Sequence, residues 1–198
     1  MLTPELTKDF WSYMQKEFGS SIVQKDEALL MEVAGSFLET LKIQNKEHFM
    51  KDFVTTLYKT IYIPFVIGDD KNDRWPLWNQ IRVCVHEHQH IVQGNRDGWC
   101  EFGVRYTTSS SFRAGYEAEA FGSDLEMEFY RTGAIFDIGQ RSSVLKDYGC
   151  SADDIDMAKQ ILTIRSEVVL QGAISNISTI KAIKWLDHYI PDLCFVNK

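Results

Sequence analysis

The chain has 198 residues, enough for one domain with a substantial core. Apolar residues make up 44% and aromatic residues 13%, which excludes a disordered chain. The formal net charge of −7 and the lack of any basic run longer than two residues argue against nucleic-acid or anionic-membrane partners, which select clustered Lys and Arg.

The first sixty residues read as helical. Thr3 is the N-cap and Pro4 the first residue of a helix whose apolar positions (Leu6, Phe10, Tyr13, Met14, Phe18) recur until Gly19. Leu29, Leu30, Val33, Phe37, Leu38 and Leu41 predict a second helix over residues 25–42, and Phe49, Phe53, Leu57 and Tyr58 a third. Thr60 to Ile67 is β-branched and aromatic and reads as a strand, with Pro64 marking an edge or an end of pairing.

Trp75-Pro76 then opens a helix running to about Gln93, with Gly94 as its stop. Trp99 to Tyr106 is ambiguous between a strand and a helical turn. Ser109, Ser110 and Ser111 offer N-caps for a long helix from Phe112 to Tyr130. Ser151 to Asp154 begins another helix in capping-box style, and Ile174 to Tyr189 forms the last. The pattern predicts an α+β, mainly α fold: one domain over 1–198, with a small β element before the central helix.

That helix carries His86-Glu87-His88-Gln89-His90. Positions four apart lie one above the other on a helix, so His86 and His90 can grip one metal ion, and Glu87 can reach a water on it. At ~100° per residue, Asn79 and Val83 join the His86–His90 face, while Trp78, Ile81, Val85 and Val92 gather opposite as an apolar anchor. His88 falls beside the apolar arc and reads as a hydrogen-bonded packing histidine.

Two histidines leave a catalytic zinc one protein ligand short. Glu117 and Glu119 on the next long helix are the candidates. Glu117 sits at the edge of an apolar stripe of Ala114, Ala118, Phe121, Leu125 and Phe129, where a carboxylate is costly unless paired or metal-bound. Glu119 falls among Ser123, Glu126 and Tyr130, a face that reads as solvated, so Glu117 is favoured. Asp124 is either a hydrogen-bond acceptor for a ligand histidine or a surface acid.

The string His86-Glu87-x-x-His90-x-x-Gln93, followed by Tyr116-Glu117-x-x-Ala120, resembles the HExxHxxQ zinc metallopeptidases, gluzincin-like domains widespread in bacteria and phages. The resemblance covers about residues 60–130. It implies a zincin-like fold, Zn²⁺ held by His86, His90 and Glu117, Glu87 as the catalytic acid and general base, and a peptide or protein substrate. Tyr106, Arg113 and Tyr116 are the nearest candidates for an oxyanion donor, in no order. Gln93 either orients a ligand or caps its helix.

The same residues would serve a zinc hydrolase of other amides or esters, and a structural or interaction protein with a non-catalytic metal site remains the rival of a different class. Trp75, Trp78 and Trp99 can line a groove but are expected in the core. With no visible secretory signal or membrane span, and with Cys84, Cys100, Cys150 and Cys194 widely scattered, the expectation is a cytoplasmic protein with reduced thiols, of bacterial or phage type.

Overall fold

Thr3 and Gly19 bracket the first helix as their chemistry requires. The Thr3 hydroxyl accepts from Leu6 N, and Gly19 takes the left-handed conformation (φ 62°) that ends helix α1 (Pro4–Phe18). The computed structural model describes residues 1–25 and 54–195. The helix expected over 25–42, and Phe49 and Phe53 of the third periodic run, lie outside the described residues, apart from Lys25.

Leu57 and Tyr58 of that run are not helical. Strands β1 (Ser21–Gln24), β2 (Thr55–Leu57) and β3 (Thr60–Ile63) form one sheet in the order β1-β3-β2. β1 lies parallel to β3, with Ser21 opposite Thr60, and β2 lies antiparallel to it, with Leu57 opposite Thr60. The expected strand is therefore shorter than its apolar run. It stops at Ile63, because Pro64 has no N–H to continue the ladder. Tyr58 turns the β2–β3 hairpin at φ 55°, a left-handed conformation that costs a non-glycine residue about 1 kcal/mol.

Five helices follow the sheet: α2 (Leu77–Asp97), α3 (Trp99–Thr108), α4 (Ser110–Thr132), α5 (Ile138–Ser143) and α6 (Ala152–Val169); α7 (Ile177–Tyr189) closes the order. A 3-10 turn, Val144–Tyr148, joins α5 toward α6. The fold is α+β and mainly α. Helix α2 passes straight through Gly94 and ends at Gly98 instead. Gly94 is there for packing: a Cβ on it would lie 2.6 Å from the Trp99 ring. Trp99 to Tyr106 resolves as helix.

Two apolar cores meet along α4. In the first, Phe10 and Met14 of α1 pack with Ile61 and Ile63 of β3, Ile81 and Val85 of α2, and Trp185 and Leu186 of α7. In the second, Ala114, Ala118, Phe121 and Leu125 of α4 meet Leu145, Ala158 and Leu162. Being covered on both sides, α4 has no broad solvated face: Ser123, Glu126 and Tyr130 are buried, against expectation. The buried Glu126 carboxylate accepts from the backbone N–H groups of Ser175 and Asn176 just before α7, where a negative charge is favoured.

The capping box expected at Ser151 is present, with Asp154 as its acid. Asp154 also accepts from the Ser111 hydroxyl and so joins the starts of α6 and α4. Burial works against its ionised form, but the hydrogen bonds from Ser111, Ser110 and Ser151 outweigh it and lower the pKa. A depressed carboxylate contributes stability above its unfolded pKa, near ~4, and loses it as pH falls through the lower folded value. Asp154→Ala is therefore expected to cost about 1–2 kcal/mol at neutral pH. In urea titrations the gap to wild type should narrow progressively as pH falls below about 4; a gap independent of pH would contradict this role.

Candidate metal centre

Helix α2 is pinned at several points around the histidines it presents. Gln80 holds the preceding loop, accepting from Gly68 N and donating to the carbonyls of Asp69 and Trp75. Trp78, Ile81 and Val85 anchor the apolar side, while Val92 is half-buried. Gln89 donates to Glu119 and accepts from Ser178 of α7. The opposite side then carries His86, Glu87 and His90 to Glu117 of α4.

Among the described residues, His86, His90 and Glu117 form the group arranged to hold a metal ion, their ligand atoms all within 4.8 Å of one another. His86 Nε2 lies 3.5 Å from Glu117 Oε2, and His90 Nε2 lies 3.4 Å from Oε1. These separations are long for hydrogen bonds between charged groups. Glu117 Oε2 is buried without a hydrogen-bond partner, a costly arrangement that a metal ion relieves. The residues fit the group.

The outer nitrogens are already engaged. His86 Nδ1 lies 3.2 Å from Asp124 Oδ2, an acceptor, so Nδ1 carries a proton and Nε2 is left toward Glu117. Gln93 donates through Nε2 to the Tyr116 carbonyl at 2.9 Å, which turns its Oε1 to His90 Nδ1 at 2.8 Å. Gln93 thus orients His90 rather than capping the helix end, and Asp124 is a buried acceptor rather than a surface acid. Asp124 is itself ion-paired with Arg141 of α5.

Burial works against the imidazolium of His86, yet Asp124, Glu117 and Glu87 together raise its pKa to about 10. Burial likewise opposes ionisation of Glu117, but His90, His86 and Tyr106 hold its carboxyl at about 2. The metal-free centre therefore keeps an extra proton on His86 at neutral pH, which an incoming metal must displace. Apparent metal affinity is expected to rise by about tenfold per pH unit between about pH 7 and 9. Competition with a chelator of known affinity measures this, and a flat response would contradict the protonated state.

Glu87 is 4% exposed, and its Oε2 accepts from Thr56 Oγ1 of β2 at 2.7 Å. A cavity of about 130 Å³ opens on the cluster, lined by β2, Tyr58, Trp99, Phe102 and Tyr106. Tyr58 and Trp99 pack at 4.7 Å on its wall, so Trp99 borders the cavity rather than lying wholly in the core. Trp78 packs in the core, and Trp75 stacks on Phe65 at 4.8 Å.

The three oxyanion candidates separate. Tyr106 faces the cluster and donates to Glu117 Oε1 at 2.5 Å. Arg113 turns away, donating to the Tyr106 carbonyl at the end of α3, and Tyr116 donates to Asp97. Neither lines the cavity. Glu119 is ion-paired with Arg96 at 3.0 Å and does not reach the cluster. His88 is fully buried: Nε2 meets Ser20 Oγ at 2.9 Å and Nδ1 meets the Cys84 carbonyl at 2.7 Å. Burial lowers its pKa to about 4, so it packs as a neutral ring.

Thr56, Arg82, Arg141 and Tyr148 escaped the sequence reading. Tyr148 lines the cavity beside Glu87 and Glu117 from the 3-10 turn, and no motif marks it. Arg82 stands one turn before His86 on the same helix face, a position that helical phase alone picks out. All four cysteines are free, and no described helix is long and apolar enough to cross a membrane. No protein-family model, curated protein or solved structure matches this chain.

Proposed function

We propose that the protein is a zinc-dependent hydrolase of peptide bonds. The observation that carries this reading is the His86–His90–Glu117 cluster with the Glu87 carboxylate beside it on one cavity. Two imidazoles and one carboxylate are the donor set of catalytic rather than structural zinc. When bound, the ion supplies a Lewis acid that acidifies water and polarises a carbonyl.

The chain's own residues supply the rest. Thr56 occupies Glu87 Oε2, which leaves Oε1 to take a proton from the attacking water and pass it to the leaving amine. Tyr106 fixes Glu117. Burial, with Glu117 and Glu87 nearby, raises the pKa of Tyr148 well above the phenolic range. Its hydroxyl therefore stays protonated and is our candidate to donate to the oxyanion. A substrate peptide is favoured over other amides by β2, which among the described residues pairs only with β3. An extended peptide can pair with the free edge of such a strand.

The test is cleavage of a peptide library by zinc-loaded protein. Chelator-sensitive cleavage is expected, restored by added zinc. Protein holding one zinc per chain that cleaves no peptide would overturn the reading, and turnover confined to esters or non-peptide amides would move the substrate class.

A further inference from the structure

A second cavity, of about 160 Å³, also borders His86 and Glu87. His86, Glu87, Val54 and Tyr148 belong to both cavities, so the two meet at the candidate metal centre. Both have apolar walls, the second with Trp75, Val83, Phe121 and Val144, but only the second adds arginines. The first offers Leu57, Tyr58, Trp99 and Phe102. The second offers Asn79, Arg82 and Arg141.

The charged groups on this second wall are not equally available. Asp124 is bound to both Arg141 and His86. Glu87 accepts from Thr56. Arg141 is further fixed by stacking on Phe121, its guanidinium carbon 4.3 Å from the ring centre. Arg82 makes no hydrogen bond or ion pair with any described residue; it acts on Asp124 only across space. A half-buried arginine that lines a cavity, with the neighbouring acids already taken, is a docking point for an anion.

We infer that Arg82 receives a carboxylate of the substrate, so that the peptide places an acidic group in the chamber of Arg82 and Arg141 and an apolar group against Tyr58, Trp99 and Phe102. The inference rests on the peptidase reading above and names its substrate class. The carboxylate comes either from the peptide's C-terminus or from an Asp or Glu side chain.

Binding tests this without turnover. The protein is Glu87→Gln, with its zinc content measured. The probes are benzoyl-Phe-Leu with a free C-terminus, its C-terminal amide, and benzoyl-Phe-Glu amide, each titrated by calorimetry. A carboxylate–guanidinium pair predicts that at least one acid binds about tenfold or more tightly than the leucine amide. Which acid binds better identifies the source of the carboxylate. Arg82→Gln should erase the preference and Arg82→Lys should keep part of it, both with wild-type circular dichroism, because Arg82 holds no contact that the fold needs. Equal binding of acids and amide, no measurable binding of any probe, or a preference that survives Arg82→Gln overturns the inference. Failure to load zinc instead counts against the peptidase reading, so the two can fail separately.

Discussion

Glu87→Gln is expected to lower kcat on a cleavable peptide by about 10²–10⁴-fold, the range that a positioned general base contributes. Zinc content should stay that of wild type. Gln keeps the shape of the side chain and its acceptor for Thr56 Oγ1, which lies 2.7 Å from Oε2 in the native protein. What it loses is the capacity to hold a proton. The effect should therefore fall on kcat with little change in KM. Steady-state kinetics and elemental analysis of the same preparations decide it. A loss below about tenfold would remove Glu87 from the role of base. Zinc lost along with activity would instead make it part of the metal-holding set.

The second large effect separates two glutamates that sit two residues apart. Glu117→Ala should weaken zinc binding by more than about 100-fold, beyond what loss of an outer-sphere partner costs. Glu119→Ala should leave it unchanged within error. Glu117 is 1% exposed, within 3.5 Å of both histidines, and carries an orphaned oxygen. Glu119 is turned to Gln89 and to Arg96, whose side chain is 49% exposed. Such a pair is worth less than about 1 kcal/mol to the fold. Equal zinc binding by wild type and Glu117→Ala would place the third ligand elsewhere.

The centre was legible because each of its parts leaves a local mark. His86 and His90 are four apart on a helix whose other side is apolar. Glu117 is a carboxylate at the edge of an apolar stripe, and its burial follows from that same stripe. The solvated face expected at Ser123 and Glu126 is absent because periodicity reports one covering layer, and α4 has two. Glu126 is buried to meet the start of α7, a partner 49 residues away that no local pattern announces.

Two of the three strands, β1 and β2, leave no such mark for a related reason. β1 and β2 have four and three residues, too few for alternation to register, and β1 pairs with a strand 39 positions along the chain. Gly94 looked like a stop because glycine usually ends helices, whereas here the constraint comes from Trp99 across the α2–α3 corner. Tyr148 and Arg141 arrive from a 3-10 turn and a six-residue helix, segments without a period to read. Arg82 is different: helical phase alone, four positions before His86, would have exposed it.

The central claim is that His86, His90 and Glu117 hold one zinc ion. X-ray absorption at the zinc edge, on protein loaded with one equivalent, tests it most directly. Two imidazole nitrogens at about 2.0–2.1 Å with oxygen making up the remainder, and no sulfur, is the predicted shell. Removing one histidine as His90→Ala should reduce the imidazole signal to a single ring. A sulfur shell near about 2.3 Å, or a shell of oxygens alone, would contradict the account.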